Sequence, residues 1–170
     1  MSGLWQAFVE GMLNPVVVPA HALALVALGL FVGRQSGRGV TLLIFAAALI
    51  GGLIALTFAI EPTAARIVLL ADAAIVGVLV ATAWASPRPV SWSLVAIAGA
   101  AIALDSPPQA LTIAEGNATL AGTALGACAA LLVVSAVAGY ASGPWAQLGA
   151  RILGSWIAAS AILVLAVLLK

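Results

Sequence analysis

The chain has 170 residues, of which 65% are hydrophobic and 6% charged, with a formal net charge of +1 and a mean hydropathy of +1.27. Soluble domains carry roughly 25% charged residues, so a soluble fold of this size has nowhere to hide so much apolar surface, and the composition implies an integral membrane protein. Six Lys and Arg leave no nucleic-acid footprint, and a single cysteine excludes an internal disulfide.

The N-terminus lacks a basic n-region, so no standard secretory signal is expected. In residues 3–13, "GLWQAFVEGML", the side chains Trp5, Phe8, Val9, Met12 and Leu13 fall on one helical face, with Gln6 and Glu10 on the other. This pattern predicts a short helix lying in the membrane interface, within a leader over residues 1–14. Six apolar segments follow, near 16–33, 40–60, 65–85, 90–105, 117–140 and 148–169, given about 20 residues per span. The fourth is the shortest. The breaks read "GRQSGRG", "EPTAAR", "SPRP", "DSPPQ" and "YASGPW", rich in turn-forming residues. The fold class expected is all-α: one polytopic membrane domain over 1–170, a bundle of about six transmembrane helices behind the interfacial helix. Cys128, between alanines, is expected to be a buried, inert thiol.

Basic residues set orientation. Arg34 and Arg38 lie in the first break, Arg88 in the third and Arg151 after the fifth. With six spans these share one side, which the positive-inside rule makes cytoplasmic, so both termini face outward. Glu10, Glu61, Asp105 and Glu115 then fall on the outer side, with His21 and Asp72 a short way in from it. Small residues repeat every fourth position at Ala73, Gly77 and Ala81, at Ala47, Gly51 and Ala55, and at Ala118, Gly122, Gly126 and Ala130, stripes that let helices approach closely.

An acid within a span costs about 3 kcal/mol at the membrane centre, less near its edge. Asp72 therefore asks for a purpose: an ion or proton path, or a structural pairing with Arg66. A faint internal echo, "AHALALVAL" against "ADAAIVGVL", aligns His21 with Asp72. Imidazole with carboxylate and amide oxygen suits borderline divalent metals. His21, Asp72 and Asp105 are the candidate ligands, with Asn14, Glu10 and Glu115 as weaker ones. Pro15 and Pro19 flank the helix entry beside His21, as suits a binding mouth. The only lysine is Lys170 and the only histidine His21, so a retinal Schiff base and bis-histidine haem are excluded; no P-loop is present.

The opening frame "NPVVVPAH", residues 14–21, resembles the first-helix motif of the HupE/UreJ family of small bacterial membrane proteins, His-Pro-x-x-Gly-x-Asp-His. Pro15 and His21 match; Asn14, Val18 and Ala20 stand where the family has histidine, glycine and aspartate. "DAAIVGVLVA" from Asp72 is similar to the family's Glu-Ala-Gly-Ile-Ala. "AGAAIALD", residues 98–105, is similar to its His-Gly-x-Ala-His-Gly-x-Glu, keeping Gly99, Ala101 and a terminal acid, Asp105, but with Ala98 and Ile102 in place of the histidines. The resemblance implies a secondary nickel permease in a bacterial inner membrane. On this footing the expected function is a permease for a divalent transition-metal cation (nickel, cobalt or zinc) taken as substrate, with no permanently bound cofactor. The alternative is a non-transporting membrane subunit or assembly factor. The expected partners are the lipid bilayer, the metal ion, and a second copy or another membrane protein.

Overall fold

The computed structural model describes residues 2–35, 37–56, 62–108, 112–141 and 143–170. These residues are helical throughout their ordered elements: α1 (Ser2–Val17), α2 (Pro19–Gly33), α3 (Arg38–Ala55), α4 (Pro62–Thr82), α5 (Arg88–Leu104), α6 (Ile113–Tyr140) and α7 (Pro144–Leu168). Each of the six apolar segments read from the sequence contains a helix among its described residues, the first being broken at Val18. Four of them, α3, α4, α6 and α7, are long and apolar enough to cross a membrane. α2 reaches that length only together with α1, and α5, with 17 residues, falls short of it.

The apolar segments are helical because long runs of Ala, Leu, Val and Ile leave no polar side chain to compete for the backbone, and Gly and Pro punctuate their ends. α2, α5 and α7 begin with proline at their first or second position, where its missing N–H costs nothing. α6 is capped by Thr112, whose Oγ1 accepts from the Glu115 amide at 3.2 Å. The same hydroxyl donates to the Glu115 carboxylate at 3.0 Å. α4 ends in a Schellman turn: the Trp84 amide reaches Leu79 O at 3.2 Å, the Ala83 amide reaches Val80 O at 3.2 Å, and Ala83 takes the left-handed φ of 54°.

The arrangement of α1 departs from the expected leader. The helix runs past residue 13, through Pro15, to Val17, and is laid along α6. Gly122 and Gly126 face the backbone carbonyls of Phe8 and Met12, and Gly11 faces that of Thr119, so that a Cβ at any of them would strike main chain. α1 then breaks at Val18 and α2 leaves at 68°. The cause is Pro19, which has no N–H for the Pro15 carbonyl and whose ring excludes that carbonyl from the helical position. Both halves advance along α6 in one direction. Gly3 lies beside Glu115, Phe8 beside Gly122, Met12 beside Gly126, Gly29 beside Val134 and Gly33 beside Ala138. α1 and α2 are thus one broken rod along α6, not a hairpin.

The small-residue stripes are largely spent within the bundle. Gly77 of α4 meets Gly154 and Ala158 of α7, a Cβ on it falling 2.8 Å from the Gly154 carbonyl. α3 packs on α5 through Gly52 and Gly99, so the contact face of α3 is offset by one residue from the Ala47, Gly51, Ala55 stripe, whose Gly51 has open space around it. Cys128 is half-buried on α6. The core gathers buried residues of α2, α4 and α5, including Leu25, Leu28, Leu69, Leu70, Val76, Val95 and Ile102. The ends of α2, α4 and α6 and the starts of α3, α5 and α7 share one end of the bundle, around a common cavity.

Candidate functional site at the broken helix

The break leaves the start of α2 level with the middle of α6, since Met12 lies at Gly126 and Gly29 at Val134. His21, in the first turn of α2, is therefore inside the bundle and fully buried, with α1 beside the half of α6 that precedes it.

Three helices converge on the imidazole. His21 Nε2 lies 3.1 Å from Asp105 Oδ2, both side chains having no solvent exposure. Asp105 follows the last residue of α5. From α4, Arg66 closes the group: its Nε donates to Asp105 Oδ1 at 3.2 Å and Oδ2 at 3.1 Å, and its Nη2 lies 3.1 Å from Oδ1. The Arg66 side chain is 45% exposed and reaches the pair from the outside. The end of α1 joins next door, where Asn14 Nδ2 donates to Ser106 Oγ at 3.3 Å and Ser106 Oγ donates to Ile102 O at 2.8 Å. The series Arg66–Asp105–His21 and the pair Asn14–Ser106, with Asp105 and Ser106 at the exit of α5, thus tie α1, α2, α4 and α5 together.

The pairing fixes the chemistry of the ring. A carboxylate held by an arginine is ionised and can only accept, so Nε2 carries the proton and donates. In the neutral ring Nδ1 is then a bare lone pair. It is buried and has no hydrogen-bond partner among the described residues. Metal-binding imidazoles take this form, one nitrogen donating to a carboxylate and the other left to ligate. Asp105, expected from the sequence as a direct ligand, has both oxygens engaged, Oδ2 by His21 and both by Arg66.

Asp72 stands apart from the ion pair. It is 3% exposed, and neither carboxylate oxygen has a partner among the described residues. The structural pairing considered for it is not formed, because Arg66 goes to Asp105. Residues six apart do not share a helix face, whereas neighbours three or four apart do. His21, Asp72 and Asp105 do not form one three-ligand cluster; among the described residues no group of three or more His, Cys, Asp or Glu side chains could hold a metal ion. Of the weaker candidates, Asn14 is beside the site through Ser106, Glu115 is engaged with Thr112, and Glu10 is exposed on α1. Glu61 lies outside the described residues. Sequence reasoning passed over Ser106 and gave Arg66 the wrong partner; the only available signal was that Ser106 adjoins Asp105.

Comparison of the chain with protein-family models, with curated proteins and with solved structures finds no match in any of the three.

Proposed function

We propose that this chain is a secondary transporter for a cation, with its binding region at the break in the first span between α2 and α4. The observation that carries this reading is a set of buried polar atoms with no hydrogen-bond partner among the described residues: His21 Nδ1 and both oxygens of Asp72. An unsatisfied buried polar group costs about 1–3 kcal/mol, and a proton or metal cation bound there removes that cost. A discontinuous helix meeting polar side chains inside a bundle is how secondary transporters commonly form their sites. Six spans, with α5 the shortest and α1–α2 the broken one, put both chain ends on one side and Arg34, Arg38, Arg88 and Arg151 on the other. The positive-inside rule makes the arginine side cytoplasmic, in a bacterial inner membrane on the HupE/UreJ resemblance.

A divalent transition-metal ion of the nickel, cobalt or zinc class is the substrate that an imidazole nitrogen and a carboxylate suit best. Few ligands make the site weak, which favours release after passage. The Arg66 guanidinium at Asp105 supplies positive charge close by, which holds His21 in place and lowers the affinity for a cation. The reading as a non-transporting subunit draws less support, because most small-residue stripes are used between the chain's own helices.

The test is uptake of nickel, cobalt and zinc into proteoliposomes, paired with calorimetry on the purified chain. Asp72→Asn is expected to abolish uptake while the protein stays folded, and His21→Ala to remove saturable metal binding. Normal uptake by folded Asp72→Asn would overturn the reading.

A further inference from the structure

Among the described residues, the opposite end of the bundle gathers arginines without carboxylate partners. A cavity of about 600 Å³ opens there. Arg34, Arg38 and Arg88 line it together with Trp84, Gln35 and Ser86, and no carboxylate does. The ion pairs formed by described residues all lie at the other site, around Asp105.

Some of this charge serves the fold. Arg34 donates from Nη2 to the Gln147 carbonyl at 3.3 Å, and the Arg38 guanidinium lies over Gly139 near the end of α6. A guanidinium has five N–H donors, so neither contact exhausts it. The backbone adds to the field. α3, α5 and α7 all start at this end, capped by Gly37, Pro87 and Gly143, and none of the three caps supplies a side-chain hydrogen bond. Their first amides carry the positive ends of three helix dipoles. The ends of α2, α4 and α6 oppose them, but the Schellman turn at Trp84 and the contact of Arg151 Nε with Ala81 O, at 2.9 Å, answer the α4 carbonyls.

The aromatic residues place this cavity at the edge of the apolar region. Trp84, Tyr140 and Trp145 ring this end, and are 58%, 87% and 84% exposed. Trp and Tyr exposed at the ends of apolar helices mark the headgroup layer. A basic pocket between helices at that depth is suited to a phosphate-bearing anion, and arginine forks match phosphate oxygens in pairs.

We infer that the cavity lined by Arg34, Arg38 and Arg88 is a binding site for a phosphate group, carried by an anionic lipid headgroup or free in solution. The inference does not depend on transport at the broken helix. Trp84 forms the apolar wall that a glycerol or acyl segment would lie against, and the arginines take the phosphate.

The test uses the full chain purified in detergent. Retention of added phosphatidylglycerol or phosphatidylcholine is read by native mass spectrometry, and thermal protection by inorganic phosphate is read in a separate arm. The wild-type protein is expected to hold one phosphatidylglycerol saturably and to discriminate against phosphatidylcholine, or to be protected saturably by inorganic phosphate alone. The first outcome assigns the phosphate to a lipid and the second to a soluble anion. Arg38→Gln with Arg88→Gln is expected to weaken binding roughly thirtyfold, from the usual worth of two arginines beside an anionic surface. Arg151→Gln, which removes a charge at the same end without lining the cavity, is expected to bind as the wild type does. Equal retention of the two lipids with no protection by phosphate would overturn the inference. So would unchanged binding by the double variant; the lipid comparison on the wild-type chain decides the matter if that variant does not fold.

Discussion

The two ends of this bundle handle charge in opposite ways. At the broken helix, charge is enclosed: His21 and Asp105 are shut from solvent, and Arg66 neutralises the carboxylate from the rim. At the other end, three arginines face an open cavity with no acid among its described lining residues. An unpaired ion in an apolar interior costs several kcal/mol, a cost that Asp105 avoids through Arg66 and His21, while Asp72 has no partner among the described residues. Charge at the rim is carried by water, by helix-end carbonyls and by whatever anion reaches it. The contrast separates parts of the molecule whose substitution should threaten the fold from parts whose substitution should change binding alone.

The comparison breaks most visibly at Asp105. Asp105→Leu leaves the His21 N–H without an acceptor and Arg66 without a partner, and is expected to cost about 2–3 kcal/mol, read as a lowered thermal unfolding midpoint in detergent. An unchanged midpoint would mean that the enclosed pair is not matched in the way described. A smaller effect of the opposite sign is expected at Ala83, held at φ 54°. A left-handed alanine is strained by roughly 1 kcal/mol, so Ala83→Gly should raise the same midpoint. The smallest effect sharpens the contrast: Arg88→Gln, on an exposed residue at the arginine end, should shift stability by less than about 0.5 kcal/mol. A loss as large as that of Asp105→Leu would erase the distinction between the two ends.

Much of the fold could be read directly. Each apolar run became a helix, and the boundaries fell near the Gly and Pro clusters, because in a chain this apolar the breaks are the only local signals. His21, Asp72 and Asp105 stood out since polar residues are scarce, and all three are buried. What remained hidden depended on facing. Pro15 and Pro19 read as a helix entry, but whether a chain enters a helix or breaks one depends on what lies before the prolines, and residues 3–13 looked like a surface element. Arg66 and Asp72 are close in sequence yet on different faces of α4, so proximity pointed to the wrong pair. The α3 stripe was offset by one residue, Gly52 instead of Gly51, because both carry the same composition and only a neighbouring helix distinguishes them. Finally, a sequence shows the Asp105 carboxylate but not that both of its oxygens are engaged by His21 and Arg66.

The seating of α1 on α6 has a consequence for how the chain is made. Gly11, Gly122 and Gly126 let the two backbones touch, yet four helices are synthesised between the two partners. Chains grow from the N-terminus, so α1 leaves the ribosome long before the surface it fits exists. Until α6 arrives, the face of α1 around Phe8 and Met12 has only lipid or the insertion machinery beside it, and the first span is unfinished. The last polar link at the break, Asn14 to Ser106, also waits for the end of α5. The polar residues of the candidate site, Asn14, His21, Arg66, Asp105 and Ser106, all precede α6, and a polypeptide released before α6 would carry them without the helix on which α1 is seated.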